Sequence, residues 1–272
     1  MADDDIILTK QFAGDSKVFV FYLPGGERSQ YLRESIQHRR FWEYGAHRRI
    51  LQIARARMPN GAFVDVGAGL GTETIIASEV FKLLYAFEVD PANIPYIGRN
   101  IELNQILGYV TERCIAERTG EKIWIDQSQV SVGASAKLYS EEVSDGHLVE
   151  TLALGDYPFK QEIAFLNVDV EGMEGRVLLG AARTIQGQGK TPLIRFTFNP
   201  SRMKQFESTA SDLIKFFEIF DYHLFISSPV QLAPISFTAL QLLFDDWKNL
   251  QSHPWLTFYA FPESSKIYAN TI

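Results

Sequence analysis

The chain has 272 residues, 46% hydrophobic and 22% charged, with 20 Phe, 11 Tyr and 4 Trp. That is material for one large domain with a small extension, expected at residues 61–272 and 1–60, and the formal charge of −7 excludes a broad nucleic-acid footprint. The lone Cys114 excludes a disulfide framework, the acidic start MADDDIILTK lacks a signal-peptide core, and no apolar run is long enough to span a bilayer, so a cytoplasmic protein is expected.

In chain order, Lys17–Leu23 (KVFVFYL) is a strand closed by the Pro24-Gly25-Gly26 turn. A helical stretch rich in arginine follows, including Arg28, Arg33, Arg48 and Arg57. It is read as a solvated face, with contact to an anionic substrate group as the sharper alternative. From Ala62 strands and helices alternate. Strands are expected at Ala62–Val66, Leu83–Val89 and Gly108–Ala116, with helices at Thr72–Phe81 and Ala92–Asn104. Residues 118–157 break the rhythm as an insertion of short strands or loops at the rim. Alternation resumes with a strand at Ala164–Val170 and a helix from Glu174 that shows Val177, Leu178, Ala181, Ala182 and Ile185 on one face. A strand at Pro192–Phe198, a helix at Ser211–Phe220 and a strand at His223–Ser227 come next. Pro229–Ala239 is a candidate lid, Thr238–Leu250 a helix and Leu256–Phe261 a last strand. The pattern predicts an α/β fold with a mostly parallel sheet covered on both faces and an antiparallel strand at its edge.

The stretch Phe63–Thr74, FVDVGAGLGTET, places Gly67, Gly69 and Gly71 between an apolar strand and a helix. Such a turn lets a ligand approach where a Cβ would clash. Dinucleotide binders space their glycines G-x-G-x-x-G, but here the third position of that pattern is Thr72, and the spacing is G-x-G-x-G. This favours S-adenosylmethionine, with its carboxylate on backbone N–H groups and its ammonium on carbonyls. A nicotinamide-dependent oxidoreductase is the less favoured alternative. Glu88, closing the next strand, offers two oxygens to a ribose diol. Asp90 is read as the cap of the following helix. Asp65, Gly67, Ala68, Gly69, Gly71, Thr72, Glu88, Val89, Glu117 and Asp169 form the expected cofactor set, with Glu117 edging the adenine.

Three blocks give the chain a wider resemblance: FVDVGAGLGTET with YAFEVDPANIPYIGRNIELN, then IAERTGEKIWID…SVGASAKL, then AFLNVDVEGMEGRVLLGA. Together they resemble the FkbM-family S-adenosylmethionine-dependent methyltransferases over about residues 60–200. The resemblance implies a class I, Rossmann-like fold, with a seven-stranded sheet parallel except for one strand. It also implies O-methylation of a sugar, small-molecule or natural-product hydroxyl. Asn167 stands where the family commonly has lysine, Thr197 where it has glutamate, and Gly155-Asp156 where it has an Asp-Asp pair. A non-catalytic binding module on the same fold is the alternative those departures suggest.

An alcohol needs a base or a metal before it attacks a methyl carbon. DVEGME supplies Asp169, Glu171 and Glu174. Asp169 is the preferred base, with Glu171 and His147 as further catalytic candidates. Glu174 is read as a helix-dipole partner or a substrate contact. Mg²⁺ at Asp169 and Glu171 is an option the sequence leaves open, but no metal is expected. His38, His47, His223 and His253 are read as surface or capping residues, and Ser131 and Ser135 as possible acceptor contacts. The expected partner is the acceptor itself; a homodimer is neither required nor excluded.

Overall fold

The computed structural model describes residues 5–12, 17–26, 29–37, 44–126, 137–139, 142, 146–170, 172–228, 231–246 and 256–265. An antiparallel hairpin of β1 (Ile6–Lys10) and β2 (Phe19–Leu23) comes first, then α1 (Gln30–Gln37) and α2 (Tyr44–Arg57). The alternating stretch follows as β3 (Ala62–Val66), α3 (Thr72–Ala77), β4 (Leu84–Glu88), α4 (Ile94–Leu103) and β5 (Gly108–Glu112). The described residues of the rim insertion form β6 (Cys114–Ile115), β7 (Lys122–Asp126), β8 (Lys137–Tyr139) and β9 (Gly146–Leu152), a separate four-stranded sheet in the order β6-β9-β7-β8. The chain then runs through β10 (Ile163–Val168), α5 (Glu174–Gly187), β11 (Leu193–Phe198), α6 (Pro200–Gln205), α7 (Ala210–Ile219), β12 (Tyr222–Ser227), β13 (Leu232–Ile235), α8 (Phe237–Asp245) and β14 (Leu256–Pro262).

The main sheet has the order β13-β12-β14-β11-β10-β3-β4-β5. From β5 to β11 the pairing is parallel. β3, β4 and β10 are buried at every residue, which is why they read as unbroken apolar runs. The sheet has eight strands rather than seven, because residues 232–235, read as part of a lid, pair antiparallel with β12. The expected antiparallel edge strand, β14, instead lies inside the sheet between β11 and β12. Its aromatic residues explain the position: Phe258 stacks on Phe196 at 5.3 Å and is fully buried, as an edge strand would not allow.

Helices cover both faces. Val177, Leu178, Ala181 and Ile185 of α5 join one core cluster with α7 and α8. On the other face, α2 and α3 share a second cluster with Phe19, Phe21, Phe63 and Phe165. Asn100 of α4 and its C-cap residue Asn104 tie the N-terminal hairpin to this body. Asn100 Oδ1 accepts the Tyr22 N–H at 2.6 Å, and its amide donates to Tyr22 O (3.1 Å) and Leu70 O (2.8 Å). Asn100 is fully buried, so Asn100→Ala should strand three backbone groups and lower stability by about 2–3 kcal/mol, read from urea midpoints.

Three arginines of the arginine-rich stretch are bonded within the fold. Arg48 grips both carboxylate oxygens of Glu79 at 2.8 and 2.6 Å, Arg57 donates to Thr191 O at 3.1 Å, and Arg33 donates to Gly26 O at 2.8 Å. Arg28 lies outside the described residues.

Candidate functional site: a glycine turn above a row of buried polar residues

Gly67 and Gly69 take left-handed φ values of 80° and 56° where β3 turns toward α3. Four N–H groups of this turn are bonded within the chain. Gly67 and Ala68 donate to Phe87 O (2.9 and 3.0 Å), Gly71 donates to Ala68 O (2.8 Å), and Gly69 donates to Glu88 Oε2 (2.6 Å). The other oxygen of Glu88 accepts from Val89 and Asp90 at 2.9 and 2.8 Å. Backbone donors at these four positions are therefore not offered to a carboxylate. What the turn does offer is space: a Cβ built on Gly69 would have nothing within 4 Å.

Glu88 is 5% exposed. Burial pushes its pKa up to about 7, against the pull of its three N–H donors. A carboxylate has about four acceptor positions, so three N–H bonds leave one open. Ala68 is buried against Ala86 and Ile97, Val89 packs beside Cys114, and Thr72 is half-buried. Asp90 does not cap α4: Asn93 holds the N-cap position, and Asp90 instead accepts from Ala92 N at 2.9 Å. Glu117 faces its neighbour Arg118 at 3.8 Å, and a Cβ on Gly180 of α5 would come 3.2 Å from its Cα.

Beneath the turn runs a row of directly paired residues on four adjacent strands: Asp65, Asn167, Arg195 and Tyr259. Asn167 Nδ2 donates to Asp65 Oδ1 at 2.8 Å, and Arg195 Nη1 donates to Asn167 Oδ1 at 2.8 Å. Thr74 donates to the second oxygen of Asp65 at 2.6 Å. Glu73 of α3 lies over the row, 3.1 Å from His47 Nε2 and 3.8 Å from Arg195 Nη2. His47 Nδ1 is 3.0 Å from the Tyr259 hydroxyl, which closes the network. His47, read as a surface or capping histidine, is therefore buried and pins α2 to the sheet. Burial raises the Asp65 pKa to about 6. Burial also acts to raise Glu73, but Arg195 and His47 outweigh it and hold the acid at about 2. No sequence signal named Glu73 or Arg195; only the placement of α3 over the sheet brings them together.

Two residues further along the same strands, on the same face, stand Gly67, Asp169 and Thr197. Thr197 Oγ1 lies 2.9 Å from Asp169 Oδ1 and 3.2 Å from Glu174 Oε1. Asp169 is exposed. Dehydration by the surrounding walls, partial at that exposure, raises its pKa, and the Glu73 charge adds to the rise; Arg195 and the Thr197 hydroxyl oppose it. Glu174, in the first turn of α5, is fully buried and also accepts the Gly172 N–H at 3.2 Å. Glu171, His38, His253, Ser131 and Ser135 lie outside the described residues. His147 is placed by its backbone on β9, opposite Ile125. Among the described residues, the one trio with metal-ligand spacing is Asp221, His223 and Glu263, at the other end of the strands.

Compared with known proteins, residues 65–224, more than half of the chain, match the profile described as the methyltransferase FkbM domain. The chain belongs to the FkbM methyltransferase family. It is a methyltransferase whose methyl donor is S-adenosylmethionine. No curated protein matches it. Among solved structures, the plantazolicin methyltransferase BpumL in complex with SAH is 10% identical, with 86% of this chain and 88% of that one covered and a TM-score of 0.44. The StiE O-MT segment is also 10% identical, covering 86% and 79%, with a TM-score of 0.44. A TehB-like methyltransferase from Corynebacterium glutamicum is 12% identical, covering 85% and 99%, with a TM-score of 0.41.

The site fits that donor. Open space lies in front of Gly69, and Glu88 keeps one acceptor position at the neighbouring strand end. When bound, the cofactor supplies an electrophilic methyl group on a sulfonium; the chain supplies its seat and the groups beside it.

Proposed function

We propose that the protein is an O-methyltransferase acting on a hydroxyl of a small-molecule, sugar or natural-product acceptor, with Asp169 as the base. The position of Asp169 carries this reading. Gly67 lacks a Cβ where the Asp169 carbonyl passes, so the carboxylate of Asp169 adjoins the cofactor turn. The Thr197 hydroxyl holds Asp169 Oδ1 at 2.9 Å and leaves Oδ2 to take the acceptor proton. A raised pKa suits that task, because a carboxylate of ordinary acidity is a poor base at neutral pH. Gly69 and Glu88 hold the donor in this reading, and Asp65, fully buried with its oxygens on Thr74 and Asn167, braces the turn from below. Residues 61–272 form the catalytic domain and residues 1–60 an extension that closes over α3 and α4. The single, buried Cys114 supports a reducing, cytoplasmic setting.

The test is labelled-methyl transfer across pooled sugars, glycolipids and polyketides. Wild type should label an acceptor, and Asp169→Asn should lower turnover by about 10²–10⁴-fold with S-adenosylhomocysteine affinity nearly unchanged. Full turnover in Asp169→Asn would remove Asp169 from the base role. Labelling of nitrogen or carbon rather than oxygen would reject the acceptor class.

A further inference from the structure

The far end of the main sheet carries chemistry that methyl transfer does not use. β11 runs parallel to the strand that leads into the glycine turn, β14 runs antiparallel to β11, and β12 antiparallel to β14. The start of β12 and the end of β14 therefore lie at the opposite edge from Gly67. Three side chains converge there: Asp221 between α7 and β12, His223 on β12, and Glu263, the residue after β14. Each offers one ligand atom, a carboxylate oxygen or an imidazole nitrogen, and these three atoms all lie within 4.8 Å of one another. Their backbones are held in place. Tyr222 pairs with Pro262 and His223 with Phe261, and the Asp221 carbonyl accepts the Glu263 N–H at 2.9 Å. β14 is an inner strand, so its end is braced on both sides. The side chains of His223 and Glu263 touch through Nε2 and Oε2, yet they are 42% and 46% exposed, so a dissolved ion can reach them.

We propose that Asp221, His223 and Glu263 form a binding site for a first-row divalent metal, with zinc as the ion that fits the donors best. An imidazole nitrogen beside two carboxylates suits zinc, whereas magnesium and calcium take oxygen ligands alone. Two carboxylates also match the charge of a divalent ion. Zinc bonds to nitrogen and oxygen of about 2.0–2.2 Å set tetrahedral ligand atoms about 3.3 Å apart. Exposed side chains on a fixed backbone reach that spacing from the present one by small rotamer changes, with the His223–Glu263 contact opening to admit the ion. Three protein ligands leave at least one position for water. The bound ion would fasten the turn before β12 to the segment leaving β14, a job that an exposed ion pair does weakly by itself. The site stands apart from the cofactor turn, and its failure would leave the methyltransferase reading untouched.

Metal titration of the full chain, stripped with EDTA and dialysed, tests this. Calorimetry with zinc should show one ion bound per chain. Cobalt(II), used as a coloured probe, should develop visible ligand-field bands that zinc abolishes and that a tenfold excess of magnesium, roughly, leaves in place. His223→Ala, Asp221→Asn and Glu263→Gln should each weaken zinc by at least about tenfold, since even the outer partners of metal ligands are worth that much. Absence of zinc binding would overturn the proposal. So would a loss confined to His223→Ala, which marks a lone surface imidazole, or binding that none of the three variants weakens, which marks an adventitious site elsewhere. Should a variant fail to fold, X-ray absorption on zinc-loaded wild type decides the matter. A single imidazole among oxygen ligands supports the trio, and two or more imidazoles, or none, reject it.

Discussion

Gly67→Ala is expected to lose about 3–5 kcal/mol of stability, whereas Gly69→Ala, two residues away, should lose about 1 kcal/mol. Both positions have left-handed φ, 80° and 56°, so each alanine meets the same modest backbone cost. The difference lies in what the new Cβ meets. At position 67 it would be driven into the Asp169 carbonyl oxygen, with the carbonyl carbon 2.8 Å away and Val170 Cγ1 at 3.2 Å. A carbonyl cannot rotate aside as a side chain can. The Asp169 N–H is moreover fixed to Val66 O at 2.9 Å, so relief requires parting β3 from β10. At position 69 the Cβ enters empty space. That space is the cofactor's in the proposed reading, so Gly69→Ala should fold normally yet bind S-adenosylhomocysteine at least tenfold more weakly. Urea midpoints and calorimetry on the two variants separate the effects. Equal stabilities would show that β3 and β10 yield at the turn.

Glu88→Gln should change how stability and cofactor affinity depend on pH. The carboxyl has a folded pKa of about 7 against an ordinary 4.5, because burial disfavours its charge more than three N–H bonds favour it. Between those values the folded state holds the proton and the unfolded chain has released it. Wild-type stability therefore falls as pH rises from about 4.5 to 7, by about 3 kcal/mol from this group. Glutamine does not titrate, so the variant should gain on wild type over that interval and stay level above it. Asp65 and Glu73 titrate in both proteins and cancel in the difference. The absolute stability of the variant should still be lower at pH 5, because an amide nitrogen facing Gly69 N–H cannot accept its bond. In cofactor binding the order reverses. A ribose hydroxyl favours the ionised carboxyl, so wild-type affinity for S-adenosylhomocysteine should rise from pH 6 to 8 while the variant stays flat. Glu88→Ala should lower affinity by about 1–3 kcal/mol at pH 8. A wild-type–variant stability difference that does not move with pH would place the Glu88 pKa near its ordinary value.

Much of this was legible from residue order, because local patterns carry their own geometry. The apolar run Ala62–Val66 with the glycines after it marked a strand, a turn and a helix. Glu88 stood at a strand end because the strand's own composition ends there. The face of α5 followed from helical spacing. The motif also pointed to Asp65 and Asp169, since their positions are fixed within a few residues of the glycines and of the DVEGME turn. What local pattern cannot carry is which strand lies beside which. β14 reads as an edge strand by its place in the chain, yet it inserts between β11 and β12 because Phe258 can bury itself on Phe196 there. The pairing of Asn167 with Asp65 on one side and Arg195 on the other likewise exists only in the register of the folded sheet. It turns a departure from the family pattern into the bridge of a polar network, with His47 supplied from a segment that looked like solvated helix. The roles of the two glycines divide in the same way. Their need for freedom was written in the motif, but only the assembled sheet decides that Gly67 makes room for the chain and Gly69 for a ligand.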